Sequence, residues 1–470
     1  MCSLTPTLSA LGGEGVKGIN ASGFSKETKI EKRLSPPKAE RGWGEALADK
    51  KAIYIFLLFF LIFFKASAQD LNYAHQIVDT LTSPYMSGRG YVNNGNEKAA
   101  AYIVSQFKSF SLKSFTKKYV QKFQFSVNTF PGQVGIKINE IALSPGKDYL
   151  IDPSSGSLKG TFEIVYVTKE TIENPDSNRQ FKQDDFANKI LVIDRKEIDN
   201  AKIAEEFKAF RLNNYKAKAI VFLEDKKLTW SVSQMAYSYP VVTIMRSAFP
   251  KDAKTISFDI ETIFIKKYAT KNLIGYVKGT EKPDSFIVFS GHYDHLGKMG
   301  SDTYFPGAND NASGIAMLLN LSEYFSTHPQ KYSIAFIAFA GEEAGLVGSK
   351  YYTEHPLFPL SKIKFLLNMD LMGTGDEGLM VVNGAIYEKE FKWLVNRNEE
   401  KKYLTQIKKR GKAANSDHYY FSEKGVPSFF FYTLGGISAY HDIYDKKETL
   451  PLTKFEQLFK LIVDFTKECF

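Results

Sequence analysis

The chain has 470 residues, of which 44% are hydrophobic and 24% are charged, a composition typical of a folded protein with more than one domain. Its two cysteines exclude a disulfide-stapled scaffold and a cysteine-rich zinc module. A formal charge of +9 over this length is too small to indicate nucleic-acid binding, so we expect no nucleic-acid partner.

The N-terminal region contains the three parts of a secretory signal. Residues 1–49 show no apolar period and are predicted to be an unfolded extension. Lys50 and Lys51 precede the 13-residue apolar run Ala52–Phe64, and small residues follow up to Ala68. Because a membrane span needs about 20 apolar residues, a signal peptide over 50–68, cleaved after Ala68, is favoured over an anchor. We therefore expect a secreted or periplasmic protein with no stable membrane insertion after cleavage.

Residues 69–268 divide into a short helical part and a β-rich part. The first, 69–130, is predicted to contain helices over Leu71–Leu81 and Asn96–Ser109, with a glycine-rich loop at Ser87–Gly90 between them. The second, 131–268, consists of short β-like runs separated by turns, which predicts a β-rich insert. These runs are Ile136–Leu143, Thr161–Val167, Lys189–Ile193, Ala219–Leu223, Val241–Met245 and Thr255–Ile265.

From residue 269 to residue 470, apolar strands alternate with helical patterns. This alternation predicts an α/β fold with a mostly parallel central sheet flanked by helices. The predicted strands are Phe286–Ser290, Ser333–Ala340, Ile363–Met369 and Ser428–Thr433, and the predicted helices are Ala312–Ser326, Leu346–Thr353, Glu388–Glu399 and Thr453–Glu468.

Chemically versatile side chains follow the ends of these strands. The carboxyl ends of strands in an open α/β sheet form its ligand crevice, so these groups can converge although about 150 residues separate the first from the last. Two imidazoles and three carboxylates suit a pair of borderline divalent cations, zinc above all. The candidate metal ligands are His292, Asp310, Glu343, Asp370 and His441.

The small residues around Asp310 favour it as the carboxylate that bridges two zinc ions, roughly 3.5–4 Å apart. His292 and Asp370 would complete one ion, and Glu343 and His441 the other. Asp294, two residues after His292, is predicted to accept the second ring N–H of that imidazole.

The predicted reaction is peptide hydrolysis by a metal-bridged water. Glu342, adjacent to Glu343, is predicted to act as the general base that takes a proton from this water and delivers one to the leaving amine. Tyr440 is predicted to donate a hydrogen bond to the developing oxyanion.

Each motif also has an ordinary structural interpretation. His-x-Asp is commonly a surface pair, Glu-Glu a solvated helix start, and the segment around Asp310 a turn with a helix cap. Against this stands the placement of four of the seven histidines (His292, His295, His418 and His441) in these few loops. We interpret His75, His328 and His355 as ordinary residues.

The motifs resemble those of the di-zinc aminopeptidases of peptidase family M28. The resemblance rests on Ser290–Gly297, Gly307–Gly314, Phe339–Ser349, Asn368–Asp370 and Tyr440–Asp442, and extends weakly to Leu81–Lys108. It implies that 69–130 is the N-terminal part of the peptidase domain and 269–470 its catalytic part. It also implies the same five ligands, Glu342 as base, Asp294 beside a ligand, Tyr440 as oxyanion donor, and Asn415–His418 near the substrate pocket. The central stretch resembles protease-associated domains.

Several functions remain open on this scaffold. The resemblance favours an exported zinc aminopeptidase acting on peptides. The alternatives are a zinc carboxypeptidase, a glutaminyl cyclase and a non-catalytic peptide-binding protein. A serine hydrolase is disfavoured because the sequence has no Gly-x-Ser-x-Gly elbow. The sequence assigns no oligomeric state.

Overall fold

The computed structural model describes residues 71–194, 196 and 204–470. The predicted extension over 1–49 and the signal peptide over 50–68 lie outside these residues. The described strands form two eight-stranded sheets and a two-stranded ribbon, all within the compact unit Ser67–Phe470.

The first sheet is the predicted α/β sheet. Its four central strands, β14 (Tyr332–Phe339), β11 (Lys282–His292), β15 (Ile363–Met369) and β18 (Ser428–Leu434), are parallel to one another, and the strand that flanks this set on each side runs antiparallel to it. The prediction of a parallel centre is therefore confirmed. In spatial order, numbered along the chain, the strands are β1 (Val120–Thr129), β10 (Ile263–Val277), β14 (Tyr332–Phe339), β11 (Lys282–His292), β15 (Ile363–Met369), β18 (Ser428–Leu434), β16 (Gly378–Val382) and β17 (Ile407–Lys409).

Helices cover both faces of this sheet, and the four predicted after residue 269 are confirmed to within two residues at each end. The most amphipathic is the last, which buries Leu458, Leu461, Ile462 and Phe465 at helical spacing. In chain order the described helices are α1 (Leu71–Leu81), α2 (Gly95–Ser109), α3 (Lys169–Glu173), α4 (Pro175–Phe181), α5 (Ala204–Arg211), α6 (Gly314–Thr327), α7 (Val347–Glu354), α8 (Glu388–Lys401), α9 (His418–Glu423) and α10 (Phe455–Glu468). Of these, α3, α4 and α5 lie in the second-sheet region and pack against the second sheet.

The second sheet lies within the predicted insert. Its central strands are buried on both faces: Ile190 and Val192 pack into one apolar cluster, and Leu191 and Ile193 into another. This explains their continuous apolar sequence. In spatial order the strands are β3 (Ile141–Ala142), β2 (Val134–Ile138), β9 (Thr255–Ile260), β5 (Leu158–Val167), β6 (Lys189–Asp194), β7 (Ala219–Glu224), β8 (Val241–Met245) and β4 (Tyr149–Ile151).

Two predicted strands of the insert are wrong in extent. The run Ile136–Leu143 is broken into two strands by a turn at Asn139 and Glu140, both with positive φ. The run Thr255–Ile265 ends at Ile260, and a separate strand begins at Ile263 and continues to Val277. That long strand passes through the predicted boundary at residue 268.

A ribbon of β12 (Gly297–Met299) and β13 (Thr303–Phe305) joins the two sheets. Its residues Met299 and Phe305 pack in the core of the second sheet, while the strand that precedes it, β11, is central in the first. Among the described residues, no helix combines the length and apolar character needed to cross a membrane.

Candidate metal centre

The five predicted ligands converge at the carboxyl ends of the central strands. His292 ends β11, Asp370 follows β15, and Glu343 lies in the turn after β14. Asp310 lies in the π-type turn Ala308–Ser313 that leads into α6, and His441 lies on the loop after β18. The parallel register of β14, β11 and β15 brings the first three of these positions to one edge of the sheet.

Asp310 lies between the two imidazoles. Its Oδ1 is 3.3 Å from Nε2 of His292, and its Oδ2 is 3.0 Å from Nε2 of His441. Nε2 of His292 is also 3.4 Å from Oδ1 of Asp370, and Nε2 of His441 is 3.3 Å from Oε2 of Glu343. The two oxygens of one carboxylate thus face two separate groups of ligand atoms.

The donor atoms fit divalent cations. Oδ1 of Asp370 is buried without a hydrogen-bond partner among the described residues, which leaves a carboxylate oxygen free to bind a cation. Ligand atoms of His292, Glu342 and Asp370 lie within 4.8 Å of one another, as do those of His292, Asp310 and Glu343. Mixed imidazole and carboxylate ligands are those zinc takes in catalytic sites.

Burial and mutual repulsion shape the electrostatics of the cluster. Burial raises the pKa of Glu342 well above its usual range, and the neighbouring Glu343 raises it further. Burial also acts to raise the pKa of Glu343, but His441 and a hydrogen bond from His295 lower it to about 2. Adjacent glutamates are therefore driven in opposite directions, as expected for a base beside a ligand.

Buried groups hold the backbone of Asp310 on both sides. The carboxylate of Asp445 accepts hydrogen bonds from the backbone N–H of Asn309 (2.8 Å) and of Asp310 (3.0 Å). The amide of Asn311 donates to the carbonyls of His292 (3.3 Å) and Met369 (3.1 Å), which ties this turn to the ends of two central strands.

Arg89 occupies the interior behind this turn. Its fully buried guanidinium donates to the carbonyls of Tyr293 (2.9 Å), Pro306 (2.7 Å), Gly307 (2.8 Å) and Asp310 (3.2 Å). Burial lowers its pKa to about 10, while nearby carboxylates, Asp310 first, act in the opposite direction. One cation thus links the end of β11 to the loop that carries Asp310.

Asp294 has contacts different from those predicted. Nδ1 of His292 is 3.1 Å from the backbone carbonyl of Asp294 and 3.9 Å from its Oδ1, so the carbonyl is the nearer acceptor. The Asp294 carboxylate instead accepts hydrogen bonds from the hydroxyl of Tyr91 (2.7 Å) and the backbone N–H of Glu342 (3.2 Å). It therefore orients the turn that carries the two glutamates.

Tyr440 lies at the open side of the cluster. Its side chain is 45% exposed, and its ring stacks on the ring of His441 with centroids 4.0 Å apart. The segment Asn415–His418 reaches the centre through Ser416, whose hydroxyl donates to Oδ2 of Asp370 at 3.1 Å. The oxyanion role of Tyr440 stays a prediction.

Several residues that support the centre were not predicted from the sequence. Arg89 lies in the predicted glycine-rich loop Ser87–Gly90, but no role was predicted for it. The sequence signal that could have identified it is a charged residue within such a loop. Asp445 lies three residues beyond the predicted Tyr440–Asp442 motif. His295 also joins the cluster, since its Nδ1 is 2.7 Å from Oε1 of Glu343.

Comparison with known proteins finds relatives of the part of the chain that carries this cluster. The model of peptidase family M28 matches residues 272–466, the part that carries all five candidate ligands. The aminopeptidase YwaD of Bacillus subtilis is 27% identical over 308 residues, 61% of this chain and 62% of that protein. A probable zinc metalloprotease of Pyricularia oryzae is 38% identical over 111 residues, 23% of this chain and 22% of that protein. The chain thus spans about three fifths of the length of YwaD and about one fifth of the length of the Pyricularia oryzae protein.

Solved structures share the fold. BSAP, a zinc aminopeptidase from Bacillus subtilis, superposes with a TM-score of 0.63 at 21% identity, covering 85% of this chain and 94% of that one. An aminopeptidase from Aneurinibacillus sp. strain AM-1 gives 0.58 at 22% identity with the same coverage. At these identities the similarity establishes the α/β architecture.

Proposed function

We propose, from the match of residues 272–466 to the model of peptidase family M28, that this protein is an exported zinc aminopeptidase that removes N-terminal residues from peptides. The observation that carries the proposal is the position of Asp310 between His292 and His441, with its two oxygens 3.3 Å and 3.0 Å from the two imidazoles. A carboxylate held in this way suits two ions better than one.

Five residues would hold the two zinc ions. His292 and Asp370 would bind one ion, Glu343 and His441 the other, and Asp310 both. Bound zinc would polarise the scissile carbonyl and lower the pKa of a water molecule.

The remaining chemistry belongs to the chain's own side chains. Glu342 would take a proton from the attacking water and return one to the leaving amine, and its raised pKa supports this exchange. Asp294 would orient Glu342 through the hydrogen bond from the Glu342 backbone N–H. Tyr440 would donate its hydroxyl proton in a hydrogen bond to the developing oxyanion from the open side.

The N-terminal segment and the insert also have proposed roles. Export would follow from cleavage after Ala68, the end of the predicted signal peptide. The insert over 131–268 would be a protease-associated-like domain, an assignment supported by the separate sheet within those residues.

The test compares substrates that differ at one end. Purified protein loaded with zinc is given a peptide library in free, N-acetylated and C-amidated forms, and the products are identified by mass spectrometry with and without a chelator. We expect stepwise loss of N-terminal residues from the free and C-amidated peptides, protection by N-acetylation and no reaction with the chelator.

Each alternative gives a different product. Trimming from the C-terminus that C-amidation blocks would identify a carboxypeptidase. Loss of ammonia from N-terminal glutamine without trimming would identify a cyclase. Zinc-loaded protein that leaves every peptide intact would identify a binding protein and end the enzymatic proposal.

A further inference from the structure

A segment of the second-sheet region reaches the candidate metal centre. This bracing segment, Lys227–Gln234, follows β7 within the predicted insert and belongs to none of the described strands of either sheet. Its backbone pairs with His441 in both directions. The Trp230 N–H donates to the His441 carbonyl at 2.8 Å, and Nδ1 of the His441 ring is 2.9 Å from the Trp230 carbonyl.

The contact with the ring nitrogen has a direct chemical consequence. The Trp230 carbonyl can only accept, so the proton of a neutral His441 ring lies on Nδ1. Nε2, the atom that faces Asp310 and Glu343, then keeps its lone pair for a cation. A partner that fixes both tautomer and ring orientation strengthens metal binding.

The bracing segment is itself fixed to the core of the second sheet. The Trp230 side chain is 5% exposed, and its indole N–H donates to the Ile151 carbonyl at 2.7 Å. Its ring stacks on Phe305 of the ribbon with centroids 4.6 Å apart. The acceptor for His441 therefore rests on buried packing and is not a freely moving loop atom.

Lys227 holds the loop that carries His441. Its Nζ lies 2.6 Å from Oδ2 of the buried Asp442 and donates to the carbonyl of Ser438 at 2.5 Å. His441 has φ of +52°, in the left-handed region that a residue with a Cβ occupies only when its surroundings enforce it. Lys227 contacts the residues before and after His441, through the Tyr440 carbonyl (3.3 Å) and the Asp442 carboxylate, and Trp230 contacts His441 itself.

The same segment contacts the turn of the two glutamates. The side-chain amide of Gln234 donates to the Ala344 carbonyl at 2.7 Å, directly after Glu343. One stretch of chain thus contacts both loops that supply ligands to the proposed second ion, the one bound by Glu343 and His441.

We propose that the segment Lys227–Gln234 is a positioning element that makes zinc binding at the Glu343–His441 position depend on the second-sheet region. This inference rests on the proposed function, since it assumes two zinc ions at the centre. Lys227 and Trp230 are positioning residues, because they act through His441 and not on substrate.

The experiment measures zinc retention in the full chain. Zinc-loaded wild type, Lys227→Met, Lys227→Arg and the control Lys226→Met are dialysed against a graded series of chelator concentrations, and bound zinc is measured by atomic emission. Lys226 is the matched control because it is the adjacent exposed lysine. For Lys227→Met we expect about tenfold weaker binding of one of the two ions. The affinity of Lys227→Met for the other ion should stay within about twofold of wild type. The affinities of Lys226→Met and Lys227→Arg for both ions should stay within the same range.

Two further measurements exclude a merely structural effect. Metal-free Lys227→Met should melt no more than about 5 °C below metal-free wild type, since Lys227 is partly exposed although the buried Asp442 loses its cation. Asp442→Asn should weaken the same ion, and the double variant should weaken it no further than the stronger single variant.

The outcomes separate this inference from the proposed function. Wild type that binds fewer than two zinc ions would overturn the two-ion centre itself. Wild type that binds two ions, with Lys227→Met either unchanged or weakened equally for both ions, would overturn only the positioning role. A drop in metal-free stability that accounts for the zinc loss would overturn it as well.

Discussion

At the scale of single residues, the candidate centre depends on how firmly Asp310 is held. Asp445 accepts from its backbone N–H, and Arg89 donates to its backbone carbonyl. The fixed main chain places the Asp310 carboxylate between the two imidazoles, where one oxygen contacts His292 and the other contacts His441. Such preorganisation is what a site that binds ions at fixed separation requires.

Replacing Glu342 by Gln tests the base directly. The amide keeps the shape but cannot accept the proton, so kcat should fall by about 10²–10⁴-fold with little change in KM. The measurement is steady-state hydrolysis of an aminoacyl-nitroanilide, with zinc content determined in parallel. Glu354→Gln is the control, since Glu354 is exposed at the end of α7. Equal kcat values for wild type and Glu342→Gln would refute the assignment.

Replacing Arg89 by Met should destabilise the fold. The change leaves the buried carbonyl oxygens of Leu81, Tyr293 and Pro306 without the Arg89 donor, and each such loss costs about 1–3 kcal/mol, so we expect at least ~3 kcal/mol in total. Urea unfolding of the metal-free protein measures it. The control Arg179→Met removes only an exposed ion pair with Asp176 and should cost less than about 1 kcal/mol. Similar losses for the two variants would contradict a special role for Arg89.

Residue types and strand ends were enough to predict the five candidate ligands, because parallel strands deliver their carboxyl ends to one edge. Contacts made through backbone atoms were not predictable. The acceptor for His292 is the carbonyl of Asp294 and the acceptor for His441 is the carbonyl of Trp230, and any residue type carries such a group. Arg89 escaped assignment because its partners, including Tyr293 and Pro306, lie more than 200 positions away.

At the scale of elements, both packing and the geometry of the site constrain the turn that precedes α6. Gly307 has φ of +62°, and a Cβ there would lie 2.2 Å from the Asp310 carbonyl oxygen and 2.4 Å from the His295 ring. No side chain fits at position 307 without moving Asp310 or His295, the histidine that is hydrogen-bonded to Glu343. The turn therefore requires glycine for both its conformation and its surroundings.

Gly307→Ala should accordingly weaken both the fold and the site. We expect a stability loss of more than about 2 kcal/mol, from a strained φ and displaced backbone, together with weaker zinc binding. Thermal unfolding and chelator competition measure the two effects. Gly411→Ala is the matched control, because nothing lies within 4 Å of a Cβ at Gly411. Tolerance of both alanines would show that the turn is not constrained as described.

The elements that sequence patterns predicted well are the buried ones. The strand Tyr332–Phe339 is buried at every position, and its sequence is almost continuously apolar because both of its faces are covered. The strand Ile263–Val277 carries lysines at 266 and 267 on a largely exposed half. These lysines obscure its alternating pattern, so the start of this strand was predicted as part of the preceding one. The turn at Asn139 and Glu140 was missed because apolar residues lie close on both sides of it, at Ile138 and Ile141.

At the scale of the whole molecule, two sheets with separate cores meet at the candidate centre. The first supplies the ligands at its strand ends, and the second contributes the bracing segment Lys227–Gln234. The ribbon that contains Phe305 joins the two cores directly after the loop of His292 and Asp294. Metal binding should therefore stabilise the molecule beyond the immediate ligands.

Zinc removal is expected to lower the melting temperature. A ligand that binds only the folded state adds about 2.7 kcal/mol at 100 times its Kd, and removal also restores repulsion among buried carboxylates. Calorimetry of zinc-loaded and chelator-treated protein measures the shift, and re-addition of zinc should reverse it. Superimposable unfolding curves would indicate that no zinc is held by the folded protein.

The most direct test of the account is anomalous diffraction at the zinc absorption edge from crystals of the zinc-loaded protein. We predict two peaks on either side of the Asp310 carboxylate, one beside His292 and Asp370 and the other beside Glu343 and His441. Anomalous peaks that lie away from the Asp310 carboxylate, or a single peak at full zinc loading, would contradict the bridged two-ion centre.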